Sequence, residues 1–173
     1  FNALDSNEML FENFLKNALV SCTDEELINN LEMWMLSYNL TFEGVDENTV
    51  KNINHGIGLI EQQRWEEASV IFNTITRQAN TIAPPWFYLG RTLFEQEQSF
   101  AADAKFDLAL DINPYYIAPR LFKFRILHEQ ENYEKLLNEV NEALVANKIW
   151  LYHFWRATAL FYLKDYEATI EEI

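Results

Sequence analysis

Pro84-Pro85-Trp86-Phe87-Tyr88-Leu89-Gly90-Arg91-Thr92-Leu93-Phe94, followed by Ala102, Phe106 and Ala109 and closed by Asn113-Pro114, is the stretch that decides how this chain folds. The paired prolines open a helix, because first-turn N–H groups have no intrahelical partner and proline's fixed φ already suits the turn. Trp86, Leu89, Gly90 and Leu93 then recur at helical spacing and make one apolar face. The polar run 95–99 turns the chain, and Ala102, Phe106 and Ala109 form the apolar face of a second helix. Asn113-Pro114 ends it, since the residue before proline avoids the helical region. Gly90 and Ala102 are small enough to let the two helices approach closely.

Outward from this unit the pattern repeats in steps of 34 residues. Gly56 maps to Gly90, and Leu59 to Leu93 and Leu127. Ala68 maps to Ala102 and Leu136, Phe72 to Phe106 and Val140, and Ile75 to Ala109 and Ala143. Trp65 and Tyr133 stand three residues before Ala68 and Leu136, whereas in the middle unit the aromatic, Phe100, falls one residue late. A fourth copy begins near Trp150, one residue short of the period, with Ala157, Leu160 and Tyr166 in the corresponding places. The expected units are about 48–81, 82–115, 116–148 and 149–173. The last stops inside its second helix, so a longer array or a missing final helix is expected.

Trp86-x-x-Leu89-Gly90-x-x-Leu93, with Ala102, Phe106, Ala109 and Pro114 in register, resembles the tetratricopeptide-repeat signature. The resemblance covers roughly residues 48–173. The unit starting near Asn48 lacks the early aromatic and the closing proline, and the third carries Phe124 where glycine is usual. The resemblance implies an all-α fold, a right-handed α-solenoid of antiparallel helix pairs forming a superhelix. It also implies a protein–protein interaction scaffold that holds a peptide or protein segment in a concave groove, and no enzyme or cofactor. Residues 1–42 lie off the period and read as two amphipathic helices. One carries Leu10, Phe11, Phe14, Leu15, Ala18 and Leu19, and the other Leu27, Ile28, Leu31, Trp34 and Met35 behind a Thr23/Glu26 capping box. They are read as an N-terminal cap or a degenerate repeat, with a regulatory segment as the alternative.

The first helix of each unit carries a second stripe that packing on its partner does not require. Phe87, Arg91 and Phe94 form it, and steps of 34 lead to Leu121, Arg125 and His128, and backward to Ile53, Ile57 and Ile60. In the short fourth unit the columns fall on Phe154, Thr158 and Phe161. By resemblance this face lines the groove, so these twelve residues are the expected ligand contacts. Their chemistry suits an apolar segment with acidic groups, because aromatic walls favour apolar anchors and guanidinium forks hold carboxylates bidentately. Other occupants stay open: Arg91 and Arg125 pairing with Glu95 and Glu129 four residues on, a further helix of the same protein, or a second copy in a homodimer. The family's clamp for chaperone tails uses Lys and Asn in these columns, where Ile53, Ile57 and Phe87 stand, so that pattern is absent.

Composition bounds the remaining choices. Apolar residues make up 49% and aromatics 15%, enough for a packed domain. The net charge of −14 repels phosphate and argues against nucleic acid and anionic membrane surfaces as partners. Residues 1–48 carry −9 of it, which suggests an acidic segment able to fold toward the arginines and compete with a partner. No apolar run approaches the ~20 residues of a membrane span. The single cysteine, Cys22, points to a cytoplasmic setting. No phosphate-binding glycine loop or nucleophile elbow occurs, and His55, His128 and His153 share no metal-ligand spacing. A catalytic domain joined elsewhere would make this chain the targeting or regulatory module of a larger enzyme.

Overall fold

The computed structural model describes residues 44–172, and the helices expected within 1–42, with the Thr23/Glu26 box and Cys22, lie outside them. The described residues form eight consecutive helices and no strand: α1 (Glu47–Glu61), α2 (Trp65–Gln78), α3 (Ala83–Glu95), α4 (Ser99–Ile112), α5 (Ile117–Glu129), α6 (Tyr133–Ala146), α7 (Trp150–Tyr162) and α8 (Tyr166–Glu171). Each helix packs on the next in sequence, and α3 also touches α1 and α5. None of the described helices is long and apolar enough to cross a membrane.

The turns repeat as closely as the helices. Gln63, Glu97, Glu131 and Lys164 each take a positive φ, of 58°, 61°, 55° and 66°. At each, the left-handed residue donates its N–H three residues back and its successor donates five back, as in Glu97 to Phe94 and Gln98 to Leu93, both 2.9 Å. This closes the carbonyls that the end of a helix leaves unpaired. The next helix then begins within two residues. Its start is capped by side chains at Asn132, which accepts from the Lys135 N–H, and Asp165, which accepts from the Ala168 N–H. Asp46 caps α1 in the same way, accepting from Asn48 and Thr49. Pro84 and Pro85 lie in the first turn of α3, as their chemistry requires.

Close contact within the first two units depends on one glycine in each. A Cβ on Gly56 would meet the Phe72 ring at 2.5 Å, and one on Gly90 would meet the Phe106 ring at 2.6 Å. Both rings are fully buried. In the third unit the same columns hold Phe124 and Val140, so a large residue on the first helix faces a smaller one on the second. Packing density is kept by exchanging bulk across the pair. The late aromatic of the middle unit has a structural consequence. Ser99, not Phe100, stands at the helix start where Trp65 and Tyr133 stand, and Phe100 is 90% exposed. Helical rotation over that single residue turns its side chain to solvent.

The buried apolar residues fall into three clusters in chain order. The first is built around Ile53, Ile60, Phe72 and Leu89, the second around Phe87, Phe94 and Phe106, and the third around Phe124, Leu136, Val140 and Tyr152.

Candidate functional site

The twelve expected contact residues lie on α1, α3, α5 and α7, and their accessibility changes along the chain. On α1, Ile53 and Ile60 are fully buried in the first cluster, and Ile57 packs half-buried against it. On α3, Phe87 is buried among the rings of Tyr88, Phe106, Tyr116 and Phe122 at centroid separations of 4.9–6.0 Å. Phe94 is buried edge-on against Phe122 at 5.5 Å. These α3 aromatics wedge α3 against α5 within a packed core.

On α5 the columns open. Leu121 and His128 are half-buried and Arg125 is exposed. The Arg125 guanidinium lies 4.7 Å from the Phe94 ring centroid and its Nε donates to Glu129 Oε1 at 2.9 Å. It thus combines a cation–π contact with an i, i+4 ion pair. His128 sits in an aromatic box, with Tyr133, Trp155 and Tyr162 at 5.7, 6.0 and 5.4 Å and the two tyrosines stacked on each other at 4.4 Å. On α7, Phe154 and Phe161 are 54% and 53% exposed, and half-buried Thr158 spends its hydroxyl on the Phe154 carbonyl.

Neither a family model nor a curated protein matches this chain. Its residues therefore carry the whole functional argument. Arg125, Phe154 and Phe161 are the expected contacts most open to a partner, with Ile57, Leu121, His128 and Thr158 half-buried. The remaining five are buried, Arg91 among them at 5% exposed. Of the two arginines for which pairing four residues on was the alternative to a ligand contact, Arg125 does pair with Glu129. Arg91 makes no such bond to Glu95, and its Nε and Nη2 atoms have no hydrogen-bond partner.

The sequence columns left out the ring next door. Tyr88 maps to Phe122 at 34 residues and on to Trp155 at 33, one residue after the Phe87 column. These are the rings that meet Phe87, Phe94, Phe124 and His128. The periodic signal was present in the chain, but at helical spacing an aromatic column reads as core whether or not it borders a site.

Lys123 was equally silent in the sequence. Its side chain is 6% exposed, and its Nζ donates to Asp107 Oδ1 at 2.6 Å and Asp103 Oδ1 at 3.1 Å on α4, with Glu139 of α6 at 3.9 Å. Burial works against its charge, but the hydrogen bond to Asp107 and the charges of Glu139 and Asp103 outweigh burial and raise its pKa. Near the other end, Glu172 bridges His153 and Arg156 of α7. No described group of three His, Cys, Asp or Glu side chains is placed to hold a metal ion.

Proposed function

We propose that the chain is a tetratricopeptide-like array, a right-handed α-solenoid of antiparallel helix pairs, and works as a non-enzymatic scaffold that binds a peptide or protein segment along the concave side of its first helices. The recurrence of the left-handed turn at Gln63, Glu97, Glu131 and Lys164 and of the glycine–ring contact at Gly56 and Gly90 supports the repeat. The observation that carries the binding reading is the exposure of Arg125 on α5 and of Phe154 and Phe161 on α7, in columns whose counterparts on α3 are buried. Exposed aromatics and arginines are residue types enriched in binding hot spots. A cytoplasmic location belongs to the same proposal and rests on the single cysteine.

The accessible residues make the cleaner test, because truncating Phe87 or Arg91 would disturb the core. A peptide library displayed on phage is selected on the full chain, and enriched peptides are measured by fluorescence anisotropy. Phe161→Ala with Arg125→Ala weakens them on the order of ten-fold or more with an unchanged circular dichroism spectrum. Equal affinity in the double variant sinks the reading.

A homo-oligomeric scaffold is the second reading, favoured by the exposed Phe161, Tyr162, Tyr166 and Ile170, with the Phe161 ring in contact with both tyrosines. Sedimentation equilibrium decides it: a concentration-dependent rise from 20.5 kDa toward a multiple supports self-association, and a constant 20.5 kDa removes it.

A further inference from the structure

The buried face of α4 is made by Ala102, Phe106 and Ala109. The same helix carries a second apolar row on its outer side: Phe100, Ala104, Leu108 and Ile112, four residues apart and all exposed. Side chains at that spacing adjoin one another along a helix. Steps of 34 put Glu66, Val70, Thr74 and Gln78 of α2 in these columns, and Glu134, Asn138, Glu142 and Ala146 of α6, equally exposed. The neighbouring helices thus meet water with mostly polar side chains, and α4 meets it with four apolar ones. An exposed apolar residue standing alone needs no explanation, but a contiguous row does. The edge of the row is distinctive too. Asp103, Asp107 and Asp111 run one residue behind it, where α2 has Ser69, Asn73 and Arg77 and α6 has Leu137, Asn141 and Val145. Lys123 offsets one of these charges by holding Asp103 and Asp107, each through Oδ1, and Asp111 is exposed. Lys105, at the opposite edge, lies over the Trp86 ring.

We propose that the outer face of α4 is a second docking surface, on a different helix from the groove columns, and that it takes a basic amphipathic helix of a partner protein. A row four residues apart is the ridge that most often packs into the grooves of a second helix, and this one runs over about 18 Å. Charge selects the occupant. Lysines and arginines beside the partner's own apolar row meet the aspartate row. A second copy of this chain brings a net charge of −14, and the chain's own residues 1–48 bring −9, so both are repelled.

The test uses the full chain with 13C-labelled leucine and isoleucine methyls. Three peptides are titrated. The first is two tandem copies of Lys-Leu-Ala-Lys-Leu-Ala-Lys, whose leucines line one face of a helix. The second has the same composition, reordered to spread its leucines around the helix. The third is the first with Glu in place of Lys. The first peptide is expected to move the Leu108 and Ile112 methyl signals and to bind on the order of ten-fold tighter than either control. Phe100→Ser with Leu108→Asn gives α4 the polar chemistry of its neighbours and abolishes that preference at an unchanged circular dichroism spectrum, whereas Phe161→Ala with Arg125→Ala leaves it intact. Should the α4 double variant lose its fold, Asp111→Lys takes its place and weakens the first peptide alone. Equal affinity for the first and reordered peptides overturns the proposal, since attraction to an acidic surface then accounts for binding. Equal affinity for the Glu peptide overturns it as well. Shifts confined to residues around Phe154 and Phe161 overturn the α4 surface and leave the groove standing. Overhauser contacts in the free chain between Leu108 and residues 1–42, or self-association lost in the α4 double variant, overturn it by giving the face to the chain itself.

Discussion

At the scale of single residues the repeat is held by positions whose conformation or size leaves little choice. Glu97 sits at φ 61°, a region that costs an L side chain about 1 kcal/mol and costs glycine almost nothing. Glu97→Gly therefore stabilises the chain by roughly 0.5–1 kcal/mol, read as a higher urea midpoint at unchanged slope; a lower midpoint refutes the turn. Gly90 has the opposite constraint. Alanine there gains helix propensity but drives its Cβ into the buried Phe106 ring and to 3.2 Å from the Ala102 carbonyl oxygen. Overpacking of this kind outweighs the gain, and Gly90→Ala loses about 1–2 kcal/mol. Adding Phe106→Leu frees the space. The double variant should then be more stable than the sum of the two single losses, and strict additivity would mean that the two residues do not touch.

At the scale of elements, Lys123 ties α5 to its neighbours on both sides, since Asp103 and Asp107 belong to α4 and Glu139 to α6. Lys123→Met keeps the stem packed and removes the charge, leaving three carboxylates facing each other without a counterion. A loss of about 2 kcal/mol is expected, below the figure for a fully buried pair because Asp107 is 56% exposed. Adding Asp107→Asn and Asp103→Asn to Lys123→Met recovers part of it, whereas no recovery would show that the loss was packing alone. The sign of the pH effect follows from the raised pKa. The unfolded lysine releases its proton first, so this contribution is complete below the ordinary lysine value of 10.5 and fades as pH climbs past it. Wild-type stability should fall between pH 10.5 and 12 more steeply than that of the Lys123→Met variant. None of this was legible in the sequence, where a lysine within Phe122-Lys123-Phe124 reads as a solvent-facing gap between core residues. The helix pairs themselves were legible, because glycine, alanine and aromatic columns recur at one period. Which side of each first helix stays open was not, because exposure depends on which helix packs across it, and Phe87 and Phe154 share a column with opposite fates.

At the scale of the whole molecule, the three apolar clusters follow one another along the chain, each joined to the next through a shared helix: α3 contributes Leu89 to the first and Phe87 to the second, and α5 contributes Ile126 to the second and Phe124 to the third. No cluster spans the described chain. A protein built this way stores its stability as unit terms plus neighbour terms, so damage stays local before it becomes global. Leu136 is fully buried in the last cluster, and Leu136→Ala removes roughly 2–5 kcal/mol there. Amide exchange followed by mass spectrometry should then show α6 and α7 losing protection by the largest factor, α5 by less, and α1 and α2 almost none. A closed, fully cooperative bundle would instead lose protection equally in all seven long helices, and that uniform pattern would contradict the serial core. The same logic places the most labile structure at α8, a helix of six residues attached to α7 alone among the pairings that define the stack. The Glu172 bridge to His153 and Arg156 is its main polar anchor, so Glu172→Gln should raise exchange in α8 and the end of α7 while leaving α3 unchanged.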